Sequence, residues 1–272
     1  MTQFNAPNRF MPPASWSIAC LANNPIFADL RQRFPLTQCS QWPDVVLLNR
    51  WRQTMPFQFV HNDELSADGR YYEAFIFDTQ RIPTRSENWH DMFGALIWCL
   101  FPKTKALLNS LHMAEIAQYG VKQRSKIRNK LTLFDECGVI IAIEPTAKPQ
   151  QSLLIAQQWT ESFWHARADW WQSIRPFVFG HAIYEMATKP FLGLTAKCWF
   201  IEVPAGFSHW SLTDSYTFLD EKLSKQIANS SLLLDNRQLT PLPLLGIPHW
   251  YADNTEQVFY GNTEYFRPLR QP

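Results

Sequence analysis

Three short segments of this chain hold the residues best suited to chemistry. "NWHDMFGALIWCL" sets His90 and Asp91 at the head of an apolar run. "FPKTKALLNSLH" follows at once, with Lys105, Asn109 and His112 at i, i+4 and i+7, one face of a helix. "GHAIYE" puts His181 and Glu185 at i, i+4, so both side chains can address one spot. Two imidazoles with carboxylates suit a divalent metal that activates water, and His90, Asp91, His112 and His181 are the candidate ligands. Without a metal, His90 can act as a general base while Glu185 orients a partner. In either version His90, Asp91, His181 and Glu185 are the candidate catalytic residues.

A helix start favours negative charge, so Asp91 is expected ionised and His90 neutral. Ser86 is the expected N-cap. Gly94 and Ala95, one turn on, leave space beneath the two polar side chains. Arg85, Lys103, Lys105, Asn109 and Arg124 could then hold an anionic substrate, most naturally a phosphoester. Asp135 and Glu136 are better explained by a type I turn and stay outside this expected site.

Each of these groups also has a plainer explanation. An acid in a first turn, a helix-surface Lys-Asn-His stripe and an i, i+4 His–Glu pair are common features of ordinary helices. The basic run "KQRSKIRNK", with Lys122, Arg124, Lys126, Arg128 and Lys130, suits either a nucleic-acid backbone or a solvated face. No aromatics interleave it, so stacking on bases is not expected. There is no Gly-rich phosphate loop, G-x-S-x-G elbow, H-E-x-x-H pair or dinucleotide fingerprint.

The elements that must position these groups are legible in outline. Helices are expected over 25–34, 42–53, 149–173 and 213–229, with others starting near residues 88, 102 and 179. Strands are expected over 57–61, 70–78 and 196–203, and a β-hairpin over 130–144. The tail from 239 is rich in Pro and turn residues and should be extended. With helices dominant and strands not in βαβ order, the expected class is α+β, one domain over 1–272 with an irregular arm to about residue 25.

A net charge of +1 gives no global pull toward nucleic acid or anionic membranes. The 12 Trp and 20 Phe require a large aromatic core. The 5 cysteines fit no metal or redox spacing and read as free thiols. No signal peptide or membrane-length apolar run is visible, so a cytoplasmic protein is expected.

From "PTRSENWHDMFGALIWCLFPKTKALLN" through "LTLFDECG", "FGHAIYE" and "PLLGIPHW" to "FYGNTEYFRPLR", the chain resembles a bacterial family known as domain of unknown function 3025. The resemblance implies that His90, Asp91, Lys105, Asn109, His181 and Glu185 occupy motif positions. It departs at Gly94, where the family pattern often has Asn. It implies no activity. Three readings therefore stand: a hydrolase, with or without a metal; a module that binds nucleic acid or a phosphorylated ligand; and a buried polar network that only stabilises the fold.

Overall fold

A computed structural model describes residues 10–52, 55–229 and 239–269. Part of the expected N-terminal arm, residues 1–9, lies outside the described residues. The fold is α+β, with helices packed around a small, mostly antiparallel sheet.

The first helices are α1 (Ile18–Ala22), α2 (Ala28–Arg33) and α3 (Val45–Trp51), the last capped by Asp44. Strand β1 (Gln58–His61) pairs in parallel with β2 (Arg81–Thr84). Between them lie α4 (Asn62–Asp68) and α5 (Tyr72–Thr79). The second of these replaces the strand expected over 70–78. A strand would bury Phe75 and Phe77 together, but Phe75 and Ile76 are buried while Phe77 is exposed. Helical spacing outweighs the β-propensity of this aromatic stretch.

Next comes α6 (Trp89–Leu100), apolar on nearly every side, with Trp89, Met92, Phe93, Ala95, Leu96, Ile97, Trp98 and Leu100 buried. Its N-cap is Asn88, whose side chain accepts from the Asp91 amide at 3.0 Å, so the expected cap Ser86 is displaced by two residues. Phe101 ends α6, and Pro102 starts α7 (Pro102–Tyr119). The head of α7 is capped from a distance. Asp220, buried on α11 (Leu212–Asn229), accepts from the Lys103 and Thr104 amides at 2.9 and 2.8 Å.

The hairpin expected over 130–144 does not form. Residues Lys126–Cys137 are helix α8, capped by Ser125, and only Gly138–Ile143 is a strand, β3. Leu131 and Phe134 are buried three residues apart, while Leu133, which an alternating strand would bury with Leu131, is exposed. The turn that removed Asp135 from the expected site is therefore absent.

The main sheet has the order β4-β3-β5-β6, with β4 (Ile174–Val178), β5 (Thr195–Glu202) and β6 (Thr240–Pro243). The β3–β5 pair is parallel and its two neighbours are antiparallel. All six residues of β3 are buried, as a central strand demands. The helix expected over 149–173 divides into α9 (Lys148–Ile155), a single π turn at Glu161–His165 and a short 3-10 turn at Arg167–Asp169. Trp159, Phe163 and Trp170 are nevertheless buried in the core. The tail is irregular beyond β6, and Leu245, Ile247, Tyr260 and Phe266 anchor it in the same hydrophobic cluster as α6.

The last helix that matters to the site is α10 (His181–Ala187). Its N-cap, Gly180, sits against the end of α8. A Cβ built at Gly180 would lie 2.3 Å from the Glu136 carbonyl oxygen. The Gly180 amide in turn donates to Gly138 O at 2.7 Å. Only glycine permits this approach, and it brings His181 beside Asp135 and Glu136.

Among the described residues, no helix is long and apolar enough to cross a membrane. All five cysteines are free thiols.

Candidate functional site

Helices α5, α6, α7, α8 and α10 enclose a cavity of about 450 Å³. Its wall includes Arg85, His90, Asp91, Lys105, Asn109, His112, Arg124 and His181. The three sequence segments singled out for chemistry therefore meet in one place. The Phe101–Pro102 break does fold the Lys105 face back toward His90. That face is buried: Lys105, Asn109 and His112 are each less than 8% exposed. A solvated stripe is thus not what the spacing encodes.

Two imidazoles of the wall face each other directly. His90 Nε2 lies 2.9 Å from His181 Nε2, and the rings cross at 76°. On the other side of the His90 ring, Nδ1 is 2.9 Å from Glu185 Oε2. Glu185 is next to His181 in space because both lie on α10, one turn apart. The expected i, i+4 pair therefore works through a third residue: Glu185 orients His90, not His181.

This arrangement decides the charge. The Glu185 hydrogen bond raises the His90 pKa above its usual value, against the effect of burial. The helix-start argument, which expected a neutral His90, is outweighed by one carboxylate in direct contact. Burial pushes His181 down to about 4, and His112 likewise to about 4. At neutral pH both are neutral imidazoles, and any positive charge in the pair sits on His90.

The facing nitrogens need one proton between them. In the uncharged state His90 carries its proton on Nδ1, toward Glu185, and accepts from His181 Nε2–H. In the charged state the His90 imidazolium donates to both Glu185 and His181. The His181 proton is then on Nδ1, the edge that faces Asp135, with Asp135 Oδ2 at 3.9 Å. The Asp135 backbone carbonyl favours a proton there. That Nδ1 is buried and has no hydrogen-bond partner.

Asp135 is the residue the sequence reasoning missed. It forms a close ion pair with Lys105, which itself lies 5.4 Å from the centre of the Trp98 ring. Burial alone would raise the Asp135 carboxyl, but Lys105 and the neighbouring imidazoles hold it below the usual carboxylate range. The Leu131–Phe134 spacing was the available signal, since a helix there puts Asp135 on a neighbouring face. Glu136, also set aside with the turn, lines the same cavity. So does Glu73, which no motif marked. Its carboxylate accepts from Asn109 Nδ2 at 2.6 Å, and burial raises its pKa.

The remaining expected residues divide clearly. Arg85 grips Asp91 through both carboxylate oxygens, at 2.9 and 2.7 Å. This fork pairs the two charges with each other. Arg124 lines the cavity and hydrogen-bonds only neutral groups, Asn129 and Thr132. Lys103 is exposed, does not line the cavity, and lies 3.6 Å from Glu221. Of the four expected metal ligands, His90 and His181 meet but spend their facing nitrogens on each other. Among the described residues, no group of three or more His, Cys, Asp or Glu is arranged to hold a metal ion.

The basic run is not an open stripe either. Arg128 is 1% exposed, donates to the Val121 and Gln123 carbonyls at 3.0 and 3.2 Å, and lies over the Tyr71 ring. Lys130 is buried as well. Arg128 therefore ties the end of α7 to the start of α8, which shapes one wall of the cavity.

No curated protein and no solved structure matches the chain. A family model does match, over residues 57–270. That span contains β1, β2, the whole main sheet and every residue of the cavity described above. The chain thus belongs to the family described as "Protein of unknown function (DUF3025)".

Proposed function

We propose that this cavity is an acid–base catalytic site for hydrolysis of a small polar substrate, with no metal required. The observation that carries the reading is the unbroken line Glu185–His90–His181, with 2.9 Å at each contact. In this account the His90–His181 pair takes the proton from an attacking water. The proton is shared across the Nε2–Nε2 contact, and the charge rests on His90, beside Glu185. Reversal returns the proton to the leaving group. The low pKa of His181 prevents it from storing the charge, and the raised pKa of His90 suits it to do so.

A purely structural network explains less. Such a network gains by closing around its polar groups and leaving none unpaired. Here the chain keeps a cavity of about 450 Å³ beside the pair. It also leaves buried Nδ1 atoms of His112 and His181 without partners. A phosphoester substrate is favoured less than the sequence reading expected, because Arg85 and Lys105 are already matched by Asp91 and Asp135.

The test is a panel of small ester, amide, amidine and phosphoester substrates, assayed with the wild type and His90→Gln. Turnover of one class that drops by roughly 10²–10⁴-fold in the variant supports the reading. Turnover that survives the substitution contradicts it.

A further inference from the structure

The wall of the cavity contributed by α5 and α7 carries an acid–imidazole pair that the proposed acid–base chemistry does not use. Glu73 is held from two directions by one amide. Asn109 Nδ2 donates to the Glu73 backbone carbonyl at 2.9 Å and to Oε2 at 2.6 Å. The carboxylate is therefore fixed in place by a neutral partner. Two other carboxylates of the wall are ion-paired. Asp91 has Arg85, and Asp135 has Lys105. Among the described residues, Glu73 has no cation within ion-pair distance.

A second, independent feature lies one turn of α7 beyond Asn109. His112 is 7% exposed and lines the same cavity, and its Nδ1 has no hydrogen-bond partner. A buried imidazole nitrogen without a partner costs stability unless a ligand satisfies it. Glu73 and His112 offer acceptors and carry no fixed positive charge themselves, and Arg124, a cation of the same cavity, is engaged by Asn129 and Thr132. They lack a group with several N–H donors and a positive charge.

We propose that this wall is a recognition subsite for a cationic nitrogen group, a guanidinium, amidinium or protonated amine, on the substrate of the proposed acid–base site. The inference rests on that reading of the cavity and adds the substrate class. Glu73 supplies the charge-assisted hydrogen bond, Asn109 positions it, and His112 accepts a further N–H. Occupation by a cation also relieves the cost of keeping a buried carboxylate ionised. The electrophilic end of the substrate then lies toward His181, across the cavity.

Isothermal titration calorimetry with butylguanidinium tests this without any turnover. Glycerol 2-phosphate serves as the anionic control, and circular dichroism checks that each variant is folded. The expected result is binding of butylguanidinium to the wild type, weakened about tenfold or more in Glu73→Gln and weakened also in His112→Phe, with no heat from glycerol 2-phosphate. Absence of butylguanidinium binding, equal binding by Glu73→Gln, or preference for the phosphate overturns the subsite. Because binding is read directly, this can fail while the His90 relay stands. Equally, His90→Gln can leave turnover intact while the subsite holds.

Discussion

His90 and His181 face each other Nε2 to Nε2 at 2.9 Å, although they lie on different helices and 91 residues apart. One proton joins them, and Glu185 determines which ring carries the charge. If the pair is a relay, His181→Gln leaves His90 held by Glu185 but removes the ring that shares its proton. Turnover should fall by about 10²-fold or more with KM little changed. A variant that raised KM alone would show a binding role instead.

The two buried neutral histidines set an acid limit on stability. Both His112 and His181 fall from an ordinary value near 6.5 to about 4 on folding. The unfolded chain binds more protons than the native state between those values, so their contribution is present above pH 6.5 and is lost as pH falls toward 4. Each costs up to about 3 kcal/mol at the acid end. His90 acts oppositely. Its raised value adds stability below the unfolded pKa and loses it as pH rises through the folded one. Urea midpoints measured from neutral pH to pH 4 should therefore drop, and His112→Gln should flatten the slope. A slope unchanged by that substitution contradicts the assignment.

Gly94 separates a structural role from a catalytic one. A Cβ there meets only His181 Cδ2, at 3.9 Å, which is ordinary contact. Gly94→Ala should therefore fold, with thermal stability unchanged or raised by up to about 1 kcal/mol through helix propensity. The added methyl still projects into the space beside the imidazole pair. Reduced ligand binding or turnover with an unchanged melting temperature is the expected outcome. A large loss of stability would mean that the space beside the pair is not open.

Gly180 should behave in the opposite way. Its Cβ would strike the Glu136 carbonyl, which is backbone and cannot swing aside. Gly180→Ala must push α10 away from α8, costing on the order of 1–3 kcal/mol and moving His181 from His90. Denaturation shows the first effect, and the His90 titration shows the second.

Much of the site was legible before any fold was known. His90, His181 and Glu185 were marked by residue type and by i, i+4 spacing, which needs only helix geometry. The boundary between α6 and α7 was legible as a helix start near residue 102. What the sequence could not show was the pairing of side chains: that Glu185 serves His90, and that Arg85 grips Asp91. Asp135 was lost because Leu-Thr-Leu-Phe alternates locally like a strand, and only burial against the core selects the helix. Glu73 was hidden in a segment of aromatic and β-branched residues for the same reason. Lys103 was included because it neighbours Lys105, but a helix turns successive residues to different faces, and Asp220 fixes which face is inward.

The central claim is that positive charge in the imidazole pair belongs to His90 and is placed there by Glu185. Long-range ¹H–¹⁵N NMR of the histidine side chains, titrated with pH in the wild type and Glu185→Gln, reads this directly. The account predicts that His90 titrates above its ordinary value, that His181 stays neutral until about pH 4, and that Glu185→Gln lowers His90. Two imidazoles that titrate together near 6.5, indifferent to Glu185, would contradict it.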